Sequence, residues 1–398
     1  MYPAPRLHRP TRVEIDLAAL QRNAVACHRL VSGAATGEGA PPRTLVVVKA
    51  DAYGHGATLV APALQAVAEE ADIAFFGVAL IEEGLELRAA GIALPILVLG
   101  GAFGQEGLVD AVREELTPVV FRPEHLRDLS LAAAAAGLEE PFPVHLKIDT
   151  GMGRIGLLPE ELPAFLDHFA DHPRLLLDGV LSHFANADLA DDEETEAQFE
   201  RFARAVDAVR EAGHRPRWIH LANSAATLTR TARVAAGGQR VSHTLIRPGL
   251  ALYGYPPSDQ ARSAAKLEPV LRWSTRISHL KRVGSGFKVS YGQTWTSRRE
   301  SLIATLPVGY ADGYDRRNSN GAPVLVHGQR CPVIGRVCMD LMMIDVTDVP
   351  EAAVGDEVVL LGAQGEGFIG ADELAERAGT ISYEVLCGVG PRVPRGAK

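Results

Sequence analysis

The segment LVVVKADAYGHG, residues 45–56, decides the fold. Its first half, LVVVKA (45–50), is a continuous apolar run rich in β-branched residues, and it ends in Lys49. Strands of a parallel sheet that is buried on both faces have such continuous runs, whereas half-exposed strands alternate apolar and polar residues. The segment therefore predicts a buried parallel strand with a lysine at its carboxyl end.

Seven further runs of the same kind follow in the first two thirds of the chain. They are AFFGVA (74–79), PILVLG (95–100), LTPVVF (116–121), PVHLKID (143–149), LLLDGVLSH (175–183), RWIHLA (217–222) and TLIRPGLALYG (244–254). Stretches of helical composition and period lie between them, such as PEHLRDLSLAAAAAGLE and EAQFERFARAVDAVREAG.

Eight strand-then-helix units in about two hundred residues are the count and length of a (β/α)₈ barrel. A doubly wound open sheet is the competing fold. It is less favoured because none of the strands ends in the G-x-G-x-x-G fingerprint of dinucleotide-binding sheets. We predict a (β/α)₈, TIM-like barrel over residues 14–265.

From about residue 266 the pattern changes to strand-like runs separated by closely spaced Gly, Pro and Asp turns. Helical pattern returns only at ADELAERAG (371–379). Residues 266–398 are therefore predicted to form a C-terminal β-rich domain, grouped with an N-terminal arm, residues 1–13. The segment SGAATGEGAPPR (32–43) is predicted to be a surface loop.

Composition narrows the functional classes. The 40 Lys and Arg and 49 Asp and Glu of the 398 residues give a net charge of −9, and no basic cluster typical of nucleic-acid binding is present. The four cysteines form no C-x-x-C pair, which disfavours a zinc ribbon or a disulfide framework. The first residues lack the apolar segment of a secretory signal. We expect a cytoplasmic protein that does not bind membranes or a metal.

Reactive groups of a (β/α)₈ barrel lie at the carboxyl ends of the strands and in the loops that follow. Polar and charged residues occupy these positions after five of the predicted strands: Lys49 with Tyr53 and His55, Lys147 and Asp149 with Arg154, His183, Asn223 with Ser224, and Arg247 with Gly249. The sequence therefore predicts one active site at the barrel mouth.

Two of these positions indicate particular chemistry. Burial and neighbouring cations would lower the pKa of the Lys49 amine, as a Schiff-base nucleophile requires; the alternative is a strand-end lysine that extends to solvent. Asn223 and Ser224 begin a helical stretch, where free N–H groups bind phosphate, and Gly249 would let backbone approach that phosphate; the alternative is an ordinary helix cap.

Other candidates are ambiguous on their own. His183 and Arg247 are each compatible with a satisfied structural group, although an arginine beside a histidine would keep that ring unprotonated. In the second domain, Tyr291 would act as a base only beside positive charge or strong donors, and Met339 is compatible with a core position.

Nine motifs, in order along nearly the whole chain from Val13 to Arg395, resemble those of alanine racemases, which are fold-type III pyridoxal-phosphate enzymes. They are LVVVKADAYGHG, LKIDTGMGRIG, SHFANAD, LANSAA, IRPGLALYG, VSYGQTW, LPVGYADGY, GRVCMD and TISYEV. The resemblance implies interconversion of L- and D-alanine, which supplies D-alanine for peptidoglycan.

The resemblance also implies roles for individual residues. Lys49 would hold pyridoxal 5'-phosphate covalently and act as one of two bases for the α-proton. Tyr291 would be the second base, on the opposite face of the substrate, contributed by the partner chain of a head-to-tail homodimer. Arg154 and the partner's Met339 would contact substrate. Arg247 would face the pyridine nitrogen and so suppress transamination, with His183 packed at the ring.

The remaining roles implied by the resemblance concern the phosphate and the substrate entrance. Tyr53, Ser224, Gly249, Leu250 and Tyr383 match the phosphate-binding residues. Further supporting residues are Lys147, which is carbamylated in some members of the family, then Asp340 beside Met339, and the entrance positions Asp188, Tyr310, Arg316 and Arg336.

The sequence departs from the family pattern in its N-terminal arm, in the length of the 32–43 segment and at Leu341, where Gln or Met often stands. None of these positions carries a proposed base or phosphate contact. The rival enzymes are a broad-specificity or serine racemase and a fold-type III amino-acid decarboxylase, which would not need Tyr291. A cofactor-binding protein without turnover would lack a second domain.

Overall fold

The computed structural model describes residues 8–35, 40–101, 104–189, 193–235 and 242–398. Contacts between Cα atoms divide the chain into two compact units. One unit contains 18–52 and 57–268, and the other contains 1–17, 53–56 and 269–398. We call them the barrel unit and the β unit.

The strands of the amino-terminal two thirds confirm the predicted barrel. All but the first, β1, belong to the barrel unit: β1 Arg12–Ile15, β2 Arg43–Val47, β3 Ile73–Val78, β4 Ile96–Val98, β5 Leu116–Val120, β6 Phe142–Lys147, β7 Leu175–Leu181, β8 Trp218–His220 and β9 Leu245–Ile246.

The eight strands of the barrel unit, β2 to β9, pair in parallel in the order β8-β7-β6-β5-β4-β3-β2-β9. The two end strands meet through the backbone hydrogen bonds Thr244 N to Ile219 O (2.8 Å) and Arg247 N to Ala222 O (3.0 Å). These two bonds bring the ends of the sheet together, so the barrel is nearly closed. Its strands are buried along almost their whole length, which is why their sequences are continuously apolar.

Helices alternate with the barrel strands and are few elsewhere. They are α1 Leu17–Gly33, α2 Lys49–Gly54, α3 Ala57–Gln65, α4 Ile81–Ala89, α5 Gln105–Arg113, α6 Pro123–Ala135, α7 Leu162–Ala170, α8 Glu193–Glu211, α9 Ser224–Thr229, α10 Thr231–Ala235, α11 Asp259–Arg262, α12 Ala371–Ala378 and α13 Ser382–Cys387. No helix in the described ranges is long and apolar enough to cross a membrane.

Several helix and strand ends differ from those expected. The predicted loop 32–43 begins later, because α1 continues to Gly33, and its residues 36–39 lie outside the described residues. The predicted strand 244–254 is short, because Leu250–Tyr253 forms a buried 3₁₀ turn. The β unit contains α13, a second helix that the sequence pattern did not predict.

The β unit is built on one ten-stranded sheet, which confirms the predicted β-rich domain. After β1, the strands of this unit are β10 Leu271–Arg276, β11 His279–Val283, β12 Lys288–Val289, β13 Trp295–Thr296, β14 Ser301–Leu306, β15 Pro323–Val326, β16 Gln329–Ile334, β17 Met342–Asp345, β18 Glu357–Gln364, β19 Gly367–Ile369 and β20 Arg395–Ala397. The sheet follows the order β11-β14-β17-β16-β15-β18-β10-β1-β20, with β19 paired to β18. The strand β1 pairs with β10 and β20, so residues 12–15 belong to this sheet, while residues 1–7 of the predicted N-terminal arm lie outside the described residues.

Candidate active site

Lys49 begins a tight turn directly after β2. Ala50, Asp51, Ala52 and Tyr53 all have φ between 52° and 55°, so α2 is a left-handed helical turn. L-residues pay about 1–2 kcal/mol each for this conformation. Four such residues in succession persist only when their surroundings hold them, and strain of this kind clusters at functional sites.

Three backbone N–H groups in and beside this turn form hydrogen bonds within the barrel unit. The Val47 N–H donates to Pro248 O at 3.0 Å, and the Ala52 N–H donates to Val48 O at 2.8 Å. The Ala50 N–H donates to the Glu83 carboxylate at 2.6 Å. The loop that carries Lys49 thus lies beside the segment that carries Arg247 and Gly249.

Arg247 is the buried centre of the barrel mouth. Its Nη2 group donates to the carbonyl oxygens of Ser182 (2.7 Å) and Leu221 (2.9 Å) and to His183 Nδ1 (3.2 Å). Among the described residues no carboxylate lies within 4 Å of its guanidinium, and Arg247 as a whole is only 4% exposed. Burial, and then the neighbouring Arg154, lower the pKa of Arg247 to about 9.

Burial and the positive charges of Arg247 and Arg154 lower the pKa values of the neighbouring Lys147 and His183. Lys147, at the end of β6, is buried, and its pKa is lowered to about 7 by burial, then by Arg247 and Arg154. The pKa of His183 is lowered well below its usual value by burial and then by Arg247. At neutral pH the His183 imidazole is therefore neutral and the Lys147 amine is only partly protonated, whereas Arg247 keeps its positive charge, so the site favours an anionic ligand.

The loop that carries Arg154 is organised by Asp149. The carboxylate of Asp149 accepts backbone N–H groups from Gly151 (3.0 Å), Gly153 (3.1 Å) and Arg154 (3.0 Å). These hydrogen bonds lower the pKa of Asp149 in spite of its partial burial. Arg154 itself is exposed, so its guanidinium is available to a ligand.

Ser224 and Gly249 meet at the ends of β8 and β9. The buried Ser224 Oγ accepts the Gly249 N–H at 2.8 Å and the Ala251 N–H at 3.3 Å. Asn223 caps α9 through the Ala226 N–H at 3.0 Å, as its sequence predicted. The loops after the seventh and eighth barrel strands, which are β8 and β9 here, frequently hold phosphate in barrel enzymes.

Tyr53 and Tyr383 lie together in the β unit, with ring centroids 5.9 Å apart. Tyr53 is buried, and burial followed by the nearby Tyr383 raises the pKa of its phenol, which stays protonated and able to donate. His55, also buried, bonds through Nδ1 to Tyr53 O at 2.9 Å.

Hydrogen bonds within the β unit connect the segment of Tyr291 to Arg336, and Tyr310 to the segment of Met339. The Ser290 hydroxyl donates to Arg336 O at 2.6 Å, and the Tyr310 N–H donates to Cys338 O at 3.0 Å. Tyr291 is 71% exposed and Met339 53% exposed. Met339 is therefore not a core residue, which excludes that interpretation of the sequence.

The other predicted supporting residues are distributed over both units. Asp340 accepts a hydrogen bond from Arg392 at 2.7 Å, and Arg316 is exposed in a 3₁₀ turn of the β unit. Asp188 is exposed in the loop after β7 of the barrel unit.

Sequence reasoning missed two histidines of the barrel interior. His220, the last residue of β8, receives the Arg247 Nη1–H at its Nδ1 (2.9 Å), and its Nε2 lies 2.9 Å from Nδ1 of His145. His145 precedes Lys147 by two residues in β6 and so shares its inward face. The sequence signal that could have identified them was a histidine at an inward-facing position of each strand.

These features define an enzyme of the pyridoxal-phosphate class. A strand-end lysine provides an amine for the aldehyde, the Ser224–Gly249 segment provides donors for a phosphate, and a buried arginine without a carboxylate partner suits the ring. The donor set therefore fits pyridoxal 5'-phosphate.

The chain belongs to the alanine racemase family. Residues 15–257 match the family's "Alanine racemase, N-terminal domain" and residues 270–397 its "Alanine racemase, C-terminal domain". An alanine racemase of Sorangium cellulosum is 44% identical, over 97% of this chain and 98% of the relative. One from Halothermothrix orenii is 42% identical, over 99% and 98%.

Solved structures agree with this assignment. Alanine racemase from the D-cycloserine-producing Streptomyces lavendulae superposes with a TM-score of 0.87 at 33% identity, over 100% of this chain and 98% of that one. Alanine racemase from Bacillus anthracis with bound L-Ala-P superposes with a TM-score of 0.86 at 36% identity, over 99% and 96%. The family resemblance and fold predicted from the sequence are thereby confirmed, and the family's cofactor is pyridoxal phosphate.

Proposed function

We propose that this chain interconverts L- and D-alanine by a two-base mechanism and supplies D-alanine for peptidoglycan. The observation that carries the proposal is the arrangement at the barrel mouth, where Lys49 follows β2 beside a segment whose buried Arg247 lacks a carboxylate partner. When bound, pyridoxal phosphate supplies an electron sink that makes the substrate α-proton acidic.

Each residue of the barrel mouth then has a defined task. Lys49 attaches the cofactor and moves the α-proton on one face of the substrate. Ser224, Gly249 and Leu250 would hold the phosphate. Tyr53 and Tyr383, which lie in the β unit, correspond to further phosphate-binding residues of the family. Arg247, supported by His183, would face the pyridine nitrogen and, as an obligate donor, would leave that nitrogen without a proton. Arg154 would bind the substrate carboxylate, and the pKa of Lys147, lowered to about 7, leaves part of its amine unprotonated and able to be carbamylated.

The second base is Tyr291, contributed by the partner of a homodimer. Inversion at Cα requires one group that removes the proton and another, on the opposite face, that returns one. The exposure of Tyr291 and Met339 supports an assembly in which a second copy covers both. Residues 266–398, with the N-terminal arm 1–13, would thus form the domain that serves the neighbouring barrel, 14–265.

The remaining polar residues correspond to positions that line the substrate entrance in the family. Tyr310, Arg316 and Arg336 are exposed in the β unit, as is Asp188 in the barrel unit. Asp340, bound to Arg392, would fix the Met339 backbone that contacts substrate. We place the protein in the cytoplasm, in keeping with four cysteines that are all free thiols.

Two variants test the assignment of the bases. Lys49→Ala should abolish the yellow colour of the purified protein, whereas Tyr291→Phe should keep the colour and sharply reduce racemisation, since it removes one base but no cofactor ligand. A coloured Lys49→Ala protein would refute the cofactor attachment. Equal racemisation by Tyr291→Phe and the unaltered chain would refute the two-base scheme.

Mixing the two variants tests the shared site. A Lys49→Ala chain and a Tyr291→Phe chain each lack one base, so sites shared between subunits regain activity in the hybrid dimer, and self-contained sites do not. Exchange of the α-proton in D₂O, followed by NMR with alanine, serine and lysine, separates racemisation from decarboxylation and shows the breadth of substrates.

A further inference from the structure

Three buried side chains form a polar column inside the barrel. Arg247 Nη1 lies 2.9 Å from His220 Nδ1, and His220 Nε2 lies 2.9 Å from His145 Nδ1. Arg247 is 4% exposed, and both histidines are fully buried. The column thus leads from the strand ends toward the barrel interior.

The guanidinium determines where every proton of this column lies. Arginine donates and cannot accept, so His220 Nδ1 must be the acceptor. A neutral His220 then carries its proton on Nε2 and donates it to His145 Nδ1, which leaves the His145 proton on Nε2. Burial and the nearby Arg247 lower the pKa of both rings, so both are neutral.

The column is costly to the fold. Among the described residues, Nε2 of His145 has no hydrogen-bond partner, and an unsatisfied buried donor is unfavourable. The ring also requires Gly179, since a Cβ there would approach His145 Cγ and Nδ1 to 2.5 Å. An apolar residue would pack against Phe75, which contacts the ring edge-on at 5.6 Å, without this penalty. Stability therefore does not explain a histidine at position 145.

We propose that His145 is a positioning residue for racemisation: it holds His220 in the Nε2–H form, so that Nδ1 accepts from Arg247 and fixes the direction of the guanidinium. This inference rests on the proposed function, in which Arg247 donates to the pyridine nitrogen. His145 does not touch substrate or cofactor and acts through His220 alone.

The tautomers are measured first, in the cofactor-loaded protein. With ¹⁵N-labelled histidine, the ring nitrogen shifts should show Nε2–H and an unprotonated Nδ1 for both His145 and His220. A protonated Nδ1 on either ring in the unaltered chain overturns the proposal, whatever the activity. Correct tautomers in a chain that does not racemise alanine would refute the proposed function and leave the proton arrangement intact.

Matched variants measure the consequence. His145→Leu removes the acceptor, whereas Asn in His145→Asn places an oxygen near the position of Nδ1. In His145→Leu the loss of one hydrogen bond should lower kcat about tenfold and leave KM for alanine unchanged. The same variant should form more pyruvate by transamination per racemisation event. His145→Asn should restore kcat to within about threefold of the unaltered chain.

His125→Leu is the control for burial alone. His125 is also buried in the barrel unit, where it contacts Arg122 at 2.8 Å, and it is not part of the column. Its loss should leave kcat and the pyruvate ratio unchanged. Equal effects of His125→Leu and His145→Leu, or no rescue by asparagine in a coloured, folded protein, would overturn the positioning role.

Discussion

The left-handed turn after Lys49 makes an unusual prediction for Ala50→Gly. Alanine to glycine within a right-handed helix usually costs about 0.5–1 kcal/mol, because glycine has more conformational freedom to lose. Ala50 has a φ of 53° and is exposed, so glycine would instead relieve about 1–2 kcal/mol of backbone strain. The net effect should be a gain of about 0–1.5 kcal/mol in the free energy of unfolding.

Ala134→Gly is the matched control. Ala134 is exposed in the right-handed helix α6 and should lose about 0.5–1 kcal/mol, so the two variants should differ by about 1–2 kcal/mol. Urea unfolding at saturating pyridoxal phosphate, compared with the unaltered chain, measures both. If Ala50→Gly destabilises the protein as much as Ala134→Gly, the turn is not strained and the argument fails.

Three further changes follow from the barrel mouth. Lys147→Met should reduce the increase in unfolding free energy between pH 7 and pH 10.5. The pKa of Lys147 is lowered from 10.5 to about 7 in the folded state, so in this window the unfolded state binds more protons and the stability of the unaltered chain increases with pH. The same pH dependence of the unfolding free energy in both proteins, measured by urea unfolding, would contradict this. Ser224→Ala leaves the buried Gly249 N–H without its acceptor and should weaken cofactor binding about tenfold, measured by fluorescence titration; unchanged affinity would remove Ser224 from the phosphate site. Asp149→Ala removes the acceptor of three backbone N–H groups and should raise KM for alanine through a disordered Arg154, with the colour retained; an unchanged KM would separate Arg154 from substrate binding.

The strands of the barrel could be predicted because their sequences are continuously apolar, but their ends could not. LALY after Gly249 is as apolar as a strand, yet it is buried as a 3₁₀ turn that starts beside Ser224. Hydrophobicity reports burial, and burial does not distinguish a strand from a packed turn. The short helix Ser382–Cys387 was missed because six residues give too little periodicity.

Strand-end position was enough to select the residues of the candidate site, but it did not reveal their mutual geometry. Nothing in the letters ADAY signals a left-handed turn, since the strain is held by contacts such as Ala50 with Glu83. The pairing of His145 with His220 depends on strands that lie 75 residues apart along the chain. Proton positions in the column could be assigned only once Arg247 was known to donate into it.

The joint between β8 and β9 has a consequence for the protein without its cofactor. β9 is two residues long, and the proposed phosphate donors Ser224 and Gly249 stand on opposite sides of this joint. A phosphate bound to both would link the two end strands of the barrel across this joint. Loss of pyridoxal phosphate should therefore accelerate amide hydrogen exchange first at the joint between β8 and β9. Cofactor dissociation and local opening of the barrel would then be thermodynamically linked.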